Sequence, residues 1–258
     1  MPPVTTSAVI LRSIEYGDFD LIVTFFTQAQ GKRAALAKNA RKSFKRFGGA
    51  LELFSKVSIV YAHGKKKGGL PLLSESNLEQ HFSNIRMDIH KTALASLWAE
   101  TIYSWAEEEQ AQEEIFQLLI RSLENLDDEK VDRDKVNILF LLRFLALAGL
   151  TPSLDQCVLC CRSLEDWGQG GICFDHARGG IVCPKCGVCL APGPVLSVGA
   201  VKQLLWLNKG DLAAAGRMKL SREAMDRGRD LLESFLAYHL GREPKSLRFL
   251  KDLRRRHF

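Results

Sequence analysis

Two cysteine pairs, Cys157-x-x-Cys160 and Cys183-x-x-Cys186, constrain this chain more than any other feature of its 258 residues. Each pair spans one tight turn that lets two thiolates converge on a single ion, and the 22 residues between the pairs can form the hairpin that brings the turns together. That is the spacing of a structural zinc ribbon, so residues 157–190 are expected to hold one Zn2+ on Cys157, Cys160, Cys183 and Cys186. Cys161 abuts the first pair and Cys189 extends the second, so Cys157 with Cys161, or Cys186 with Cys189, meets the same requirement. Cys173 and His176 are further candidate ligands, although a lone loop histidine is more often solvated. With four thiolates on the ion no position stays open for a reactive water, and the metal is expected to be structural.

Other chemistries fit these residues less well. The cysteine count, 7, is odd, and the opening Met1-Pro2-Pro3-Val4 lacks the basic-then-apolar pattern of an export signal. Both observations speak against a disulfide framework and for a cytoplasmic protein. A thioredoxin-like dithiol would close a strand in a βαβ unit, whereas Gly168, Gly170, Gly171, Gly179 and Gly180 fill the interval with turns. A zinc deaminase needs Pro-Cys-x-x-Cys and an upstream His-x-Glu; here Val182 precedes Cys183, and Arg178 stands two residues after His176. Gly64-Lys65 lacks the upstream glycine of a phosphate-cradling loop, and no Gly-x-Ser-x-Gly elbow occurs. The acidic clusters Glu107–Glu109 and Asp127–Glu129 have no histidine nearby and read as solvated helix caps. No enzymatic activity is expected. No apolar run reaches the roughly 18 residues of a membrane helix, and the nearest approach, Val136 to Leu150, carries Arg143 at its centre.

The first 80 residues read as short strands. Ala8–Ile14, Leu21–Phe26 and Arg33–Ala37 are rich in Val, Ile, Leu and Phe and are separated by Gly17-Asp18 and Gly31. From Leu51 the alternation places Leu51, Leu53, Val57, Ile59 and Tyr61 on one face, and Leu70–Ser74 completes a set of five. Five such strands suit a small barrel of the oligonucleotide-binding (OB) type over residues 1–80, with an SH3-like barrel as the alternative. Between the third and fourth strands lies a segment with five cations, Lys38, Arg41, Lys42, Lys45 and Arg46, two aromatics, Phe44 and Phe47, and no acid. Phosphates attract the cations and a base can stack on Phe44 or Phe47; otherwise both rings pack on the barrel. Lys32 and Arg33 stand nearby, and Lys65–Lys67 is either a second contact or a soluble hairpin tip.

Charge is segregated along the chain. Residues 1–80 hold 12 Lys/Arg against 6 Asp/Glu, residues 81–241 hold 17 against 22, and the last 17 residues hold 7 against 2. Basic ends around an acidic middle point to a polyanionic partner.

From His81 the period becomes helical. Leu94, Leu97, Trp98, Thr101, Ile102 and Trp105 form one apolar stripe, and Val136–Leu150, apolar on nearly all sides, should be a central helix ended by Gly149 and Pro152. Helical patterning resumes at Val201, Leu204, Leu205 and Asn208, and again at Leu231, Leu232, Phe235, Leu236 and Leu240. The expected organisation is α+β and multidomain: a barrel at 1–80, a helical domain from 81–156 and 191–258, and the ribbon, 157–190, inserted in it. Residues 245–256 are either a docked basic helix or a frayed tail.

Several loose motifs occur in a fixed order. They are Tyr16-Gly-Asp, Thr27-x-x-x-Gly31-Lys32, the basic segment, Arg143 with Gly149, Pro152, Asp155 and the first cysteine pair, Gly179-Gly180 before the second pair, and Ser246-x-x-Phe249-Leu250. In that order, nearly end to end, the chain resembles the bacterial RecO family of recombination mediators. Asn39 and Cys161 stand where that family usually has glycine; Asn tolerates a positive φ better than most residues, so the turn can survive. The resemblance implies an OB barrel, a helical domain and a zinc ribbon. It also implies a non-enzymatic protein of the cytoplasm and nucleoid that binds single- and double-stranded DNA, anneals complementary strands and works with RecR. Its implied task is to load the RecA recombinase onto strands covered by single-strand-binding protein (SSB), whose acidic C-terminal tail residues 81–258 would receive. The implied DNA contacts fall on Lys32, Arg33, Lys38, Arg41, Lys42, Phe44, Lys45 and Arg46. Without the resemblance, the residues reach only a zinc-containing nucleic-acid binder. The alternatives are a zinc-stabilised RNA-binding or ribosome-associated structural protein and a metal-dependent nucleic-acid enzyme.

Overall fold

Alternation at a period of two builds the N-terminal part of the computed structural model, which describes residues 2–62, 69–168, 170–186, 195–209 and 218–256. Strands β1 (Val4–Tyr16), β2 (Asp20–Thr27), β3 (Gly31–Ala37), β4 (Lys56–Ala62) and β5 (Leu72–Gln80) form a closed barrel in the order β1-β2-β3-β5-β4, with β4 returning to β1. β3 and β5 run parallel at Leu36 and Leu72, and the other neighbours are antiparallel. A five-stranded closed barrel with this crossover is the expected OB architecture. Ala8, Ile10, Val23, Phe25, Ala35, Ala37, Val57, Ile59, Tyr61 and Leu73 fill its interior. Between β3 and β4 the chain makes the single-turn helix α1 (Phe44–Phe47).

Two strand expectations shift. Leu51 and Leu53 match the alternation but precede β4, because Phe54 takes a left-handed conformation (φ 68°) and breaks the strand. Leu51 nevertheless packs against the barrel core, whereas Leu53 is exposed. β5 runs on to Gln80, well beyond Ser74, since pairing with β4 satisfies its backbone even where Glu75, Asn77 and Glu79 face outward.

Helices α2 (Ser83–Met87), α3 (Ile89–Trp105), α4 (Glu113–Asp127) and α5 (Arg133–Leu147) follow. The hairpin β6 (Cys173–Asp175) and β7 (Gly180–Val182) comes next, then α6 (Val198–Lys209), α7 (Arg222–His239) and α8 (Lys245–Arg256). Asp88 starts α3 by accepting from the N–H groups of His90 and Lys91 at 2.7 and 3.1 Å, and Asp132 caps α5 in the same way. The chain divides into two packed units, Met1–Glu129 with Pro244–Phe258, and Lys130–Glu243. The helical elements are thus shared: α2, α3, α4 and α8 pack in the unit that holds the barrel, and α5, α6 and α7 in the unit that holds the hairpin.

In the second unit, α5 packs against α6 and α7. Arg143 donates to the carbonyls of Leu207 and Asn208, placing its charge at the negative end of α6. The fully buried Asn137 donates to the fully buried Glu233 at 3.1 Å, fixing the register of α5 against α7.

In the first unit, α8 lies along α3 and buries Leu247 and Leu250, so the C-terminal segment is a docked helix. Its N-terminus is capped from outside. Glu100 on α3 accepts from the N–H groups of Lys245 and Ser246 at 3.1 and 2.9 Å, and from the Ser246 hydroxyl at 2.6 Å. Glu100→Ala removes three acceptor contacts at once. Loss of a cap of this kind costs about 1–2 kcal/mol, so amide hydrogen exchange in residues 245–256 should accelerate about tenfold while the barrel amides keep their protection.

Candidate metal centre and nucleic-acid surface

The four predicted cysteines meet. Among the described residues, the sulfurs of Cys157, Cys160, Cys183 and Cys186 all lie within 4.8 Å of one another, with Cys160 and Cys183 3.7 Å apart. Four thiolates at about 2.3 Å from a tetrahedral ion stand about 3.8 Å apart, so this donor set fits a divalent ion that prefers sulfur. Two turns set the geometry: the Cys161 N–H donates to the Cys157 carbonyl, and the Cys186 N–H to the Cys183 carbonyl. Cys157 and Cys183 are buried, Cys160 and Cys186 exposed. Burial opposes charge on Cys157, but N–H groups of Cys183, Leu159 and Cys160 converge on its sulfur and bring the thiol down to about 6. Hydrogen bonds with the Cys160 and Cys183 sulfurs push Cys186 up to about 12. Within the cluster, hydrogen bonding thus favours the thiolate on Cys157 and the thiol on Cys186. An ion entering the cluster must displace protons, and it would bind more weakly as pH falls.

The neighbouring candidate ligands lie elsewhere. Cys161 is exposed at φ 57° outside the cluster, and Cys173, in β6, is disulfide-bonded, which corrects the expectation that no disulfide forms. Cys189 lies outside the described residues. His176 bonds to the Ser234 hydroxyl at 2.9 Å and packs among Phe174, Phe235 and Tyr238, which ties the hairpin to α7. Burial first, and then the charge of His239, lower its pKa against the pull of Asp175. Gly180 is required by space: a Cβ there would stand 2.4 Å from Val158 and 2.8 Å from the Ser153 carbonyl oxygen.

The basic segment is held open on the barrel. Asn39 adopts φ 54°, as its place in the turn demands, and its N–H bonds to Asp20. The Arg41 N–H bonds to the Phe19 carbonyl, and its guanidinium reaches Glu15 and the Asp18 carbonyl at 3.2 and 3.3 Å. Arg46 acts as a strut, donating to the Ser43 hydroxyl and the Lys38 carbonyl and lying over Phe47. Lys42 stands 3.2 Å from the centre of the Phe19 ring. The two phenylalanines part company: Phe47 is 3% exposed and joins the barrel core, while Phe44 is 84% exposed. Lys38 and Lys45 are exposed. Phe19 was not singled out by sequence; its spacing from the basic segment is set by the Arg41–Phe19 backbone bond.

Lys32 and Arg33 turn away from this surface. The Lys32 ammonium donates to the Tyr103 carbonyl at 2.9 Å and lies over the Tyr103 ring. Arg33 is paired with Glu109, and its side chain is 12% exposed. The acids Glu108 and Glu109 are thereby part of a seam with β3, since Lys32 also bridges Glu108 through the backbone. Lys65–Lys67 lies outside the described residues.

Comparison with known proteins agrees with this architecture. Residues 1–82 match the family described as "Recombination protein O N terminal", and residues 86–248 match "Recombination protein O C terminal". The chain belongs to the RecO family. It is 98% identical to the DNA repair protein RecO of Desulfatibacillum aliphaticivorans over the full length of both. It is 39% identical to that of Desulfosudis oleivorans, with 98% of this chain and 99% of the relative covered. With the RecO of Anaeromyxobacter sp. (strain K) it shares 35% identity, covering 98% of each. The chain is thus a RecO-family DNA repair protein with an OB barrel.

The RecO motifs acquire physical roles. Thr27 closes the β2–β3 turn by bonding to Gln30 and Gly31. Gly31 has φ 63°, and a Cβ would fall 1.8 Å from the Gln110 carbonyl oxygen, so no side chain fits where this turn meets residue 110. Among the described residues, no helix is long and apolar enough to cross a membrane.

Cys183→Ser should abolish stoichiometric metal retention by the full-length protein, measured as the metal-to-protein ratio after dialysis, while Cys161→Ser should leave it intact. His176→Ala should keep the metal yet lower stability by about 1–3 kcal/mol, the cost of a lost buried hydrogen bond and its packing.

Proposed function

We propose that this RecO-family chain is a non-enzymatic recombination mediator. It binds single- and double-stranded DNA without sequence preference, anneals complementary strands and, with RecR, helps load RecA onto SSB-covered single strands. The observation that carries the reading is an exposed basic segment with a bare aromatic ring on an OB barrel. Cations dominate this surface, and cations neutralise phosphates without reading bases. Lys38, Arg41, Lys42 and Lys45 make the phosphate contacts, Phe44 stacks on a base, and Arg46 holds the segment in shape. Lys32 and Arg33 support the barrel from beneath. The ion at Cys157, Cys160, Cys183 and Cys186 is Zn2+, which suits a closed four-thiolate set and cross-links the ribbon. Functionally, the barrel at 1–80 engages DNA and the helical residues 81–156 and 191–258, in which the ribbon 157–190 is inserted, receive the acidic SSB tail. The protein works in the cytoplasm at the nucleoid.

Neutralising about four phosphates of a single strand gives a slope of log K against log[salt] near −2.8, at roughly −0.7 per contact. Replacing Lys38, Arg41, Lys42 and Lys45 with alanine should flatten that slope by about 2 to 3 units and slow annealing, with metal content unchanged. A quadruple variant that keeps both slope and affinity would move the contact elsewhere. Competition between single-stranded DNA and RNA of equal length tests the nucleic-acid class, with DNA expected to prevail.

A further inference from the structure

We propose that the barrel carries, beside the basic segment, a pocket that takes one unstacked nucleobase and so favours single strands over duplex; this rests on the reading of that segment as the DNA contact. An open cavity of about 290 Å³ lies at the segment, lined by Leu21, Arg41, Lys42, Phe44, Phe47 and Leu51. Its floor is apolar and fixed, because Phe47 and Leu51 belong to the barrel core and Leu21 packs against it. Its wall is Phe44, whose ring is solvent-exposed and, among the described residues, has no ring or cation stacked on it. Lys42 is engaged with Phe19 instead, which leaves the Phe44 face clear while keeping the ammonium at the mouth. Arg41 stands at the same mouth, held toward it by Glu15 and Asp18. Phe44 gives the cavity a flat wall and Phe47 and Leu51 an apolar base, while Arg41 and Lys42 outweigh the one acid of the lining, Glu52. That is the chemistry of a base with its own phosphate at the rim.

Volume decides how much can enter. The cavity sits at the small end of ligand pockets, suited to one planar ring system and too small for a base pair. A paired base has both faces covered and cannot present one to Phe44, so a duplex reaches the cations but not the pocket. An unstacked base gains both the ring face and the apolar floor, with no base-edge donor or acceptor required.

The test titrates full-length protein with three labelled probes of equal length: a thymidine homopolymer, the same backbone made abasic throughout, and a duplex. The thymidine strand is expected to bind about tenfold more tightly than the abasic strand, within the range for one base–aromatic stack, with the same salt slope. Phe44→Ala should bring the thymidine strand to the abasic level without weakening the abasic strand, and Phe44→Tyr should restore the difference. Equal affinity of the wild type for thymidine and abasic strands would overturn the pocket while leaving the phosphate contact standing. A Phe44→Ala effect equal on both strands would also overturn it, assigning Phe44 to loop structure. Failure of every probe to bind at low salt would instead refute the DNA reading beneath it.

Discussion

Five cations within residues 38–46 repel one another, and the segment keeps its shape only because the barrel beneath supplies oxygens at fixed positions. Asp20 holds the Asn39 N–H, the Phe19 carbonyl holds that of Arg41, and Glu15 meets the Arg41 guanidinium. These acceptors sit at the turn joining β1 and β2, whose geometry depends on strand pairing through Tyr16 and Asp20. The barrel closes between β3 and β5 at Leu36 and Leu72, which shields those edge strands. The seam formed by Lys32, Arg33, Tyr103 and Glu109 ties β3 of the same barrel to the segment that follows α3. Surface ion pairs of this sort contribute little individually; their value here is geometric, since each fixes where a loop begins.

Features whose physics is local were legible in the sequence. The clustering of the four cysteines follows from turn geometry, the barrel interior from a period of two, and α5 from a continuous apolar surface. The positive φ of Asn39 followed from the turn it occupies. What stayed hidden depends on partners far along the chain. Lys32 and Arg33 look like surface cations until Tyr103 and Glu109 close on them, more than 70 residues away. Phe44 and Phe47 are equivalent by composition, and only the turn of α1 sends one into the core and the other into solvent. His176, a plausible metal ligand by residue type, is claimed by Ser234 and the aromatic side chains of α7. An apolar stripe announces that a helix packs but does not name its partner, so the sharing of helices between two units was not readable.

The ribbon shows why a metal-competent cysteine cluster and a hydrophobic anchor would complement each other. Strands β6 and β7 are three residues each and cannot stabilise a hairpin by themselves. Ile181 and Phe174 bury apolar surface, and Phe174 meets Phe235 of α7 edge to face at 5.0 Å. The cysteine cluster cross-links the hairpin's other end to the turn at 157–161, through backbone bonds that include Val158 to Ile181. Each device covers what the other cannot reach. Losing the ion should therefore loosen the cysteine turns first, while the packing of α5, α6 and α7 persists on its own buried leucines and phenylalanines.

Charge also separates the two sites by role. Four thiolates around one divalent ion would keep a net negative charge, the opposite sign to the basic segment on the barrel. On the barrel side the Glu15 and Asp20 carboxylates and the Asp18 carbonyl accept from Arg41 and Asn39, and so order the basic segment. Removing Glu15 would leave the local charge more positive yet the guanidinium less well placed, and the two effects oppose each other. Non-specific attraction would rise with net charge, while contact with a particular phosphate would lose its fixed geometry; a polyanion-binding surface built on a closed barrel depends on the second effect more than the first.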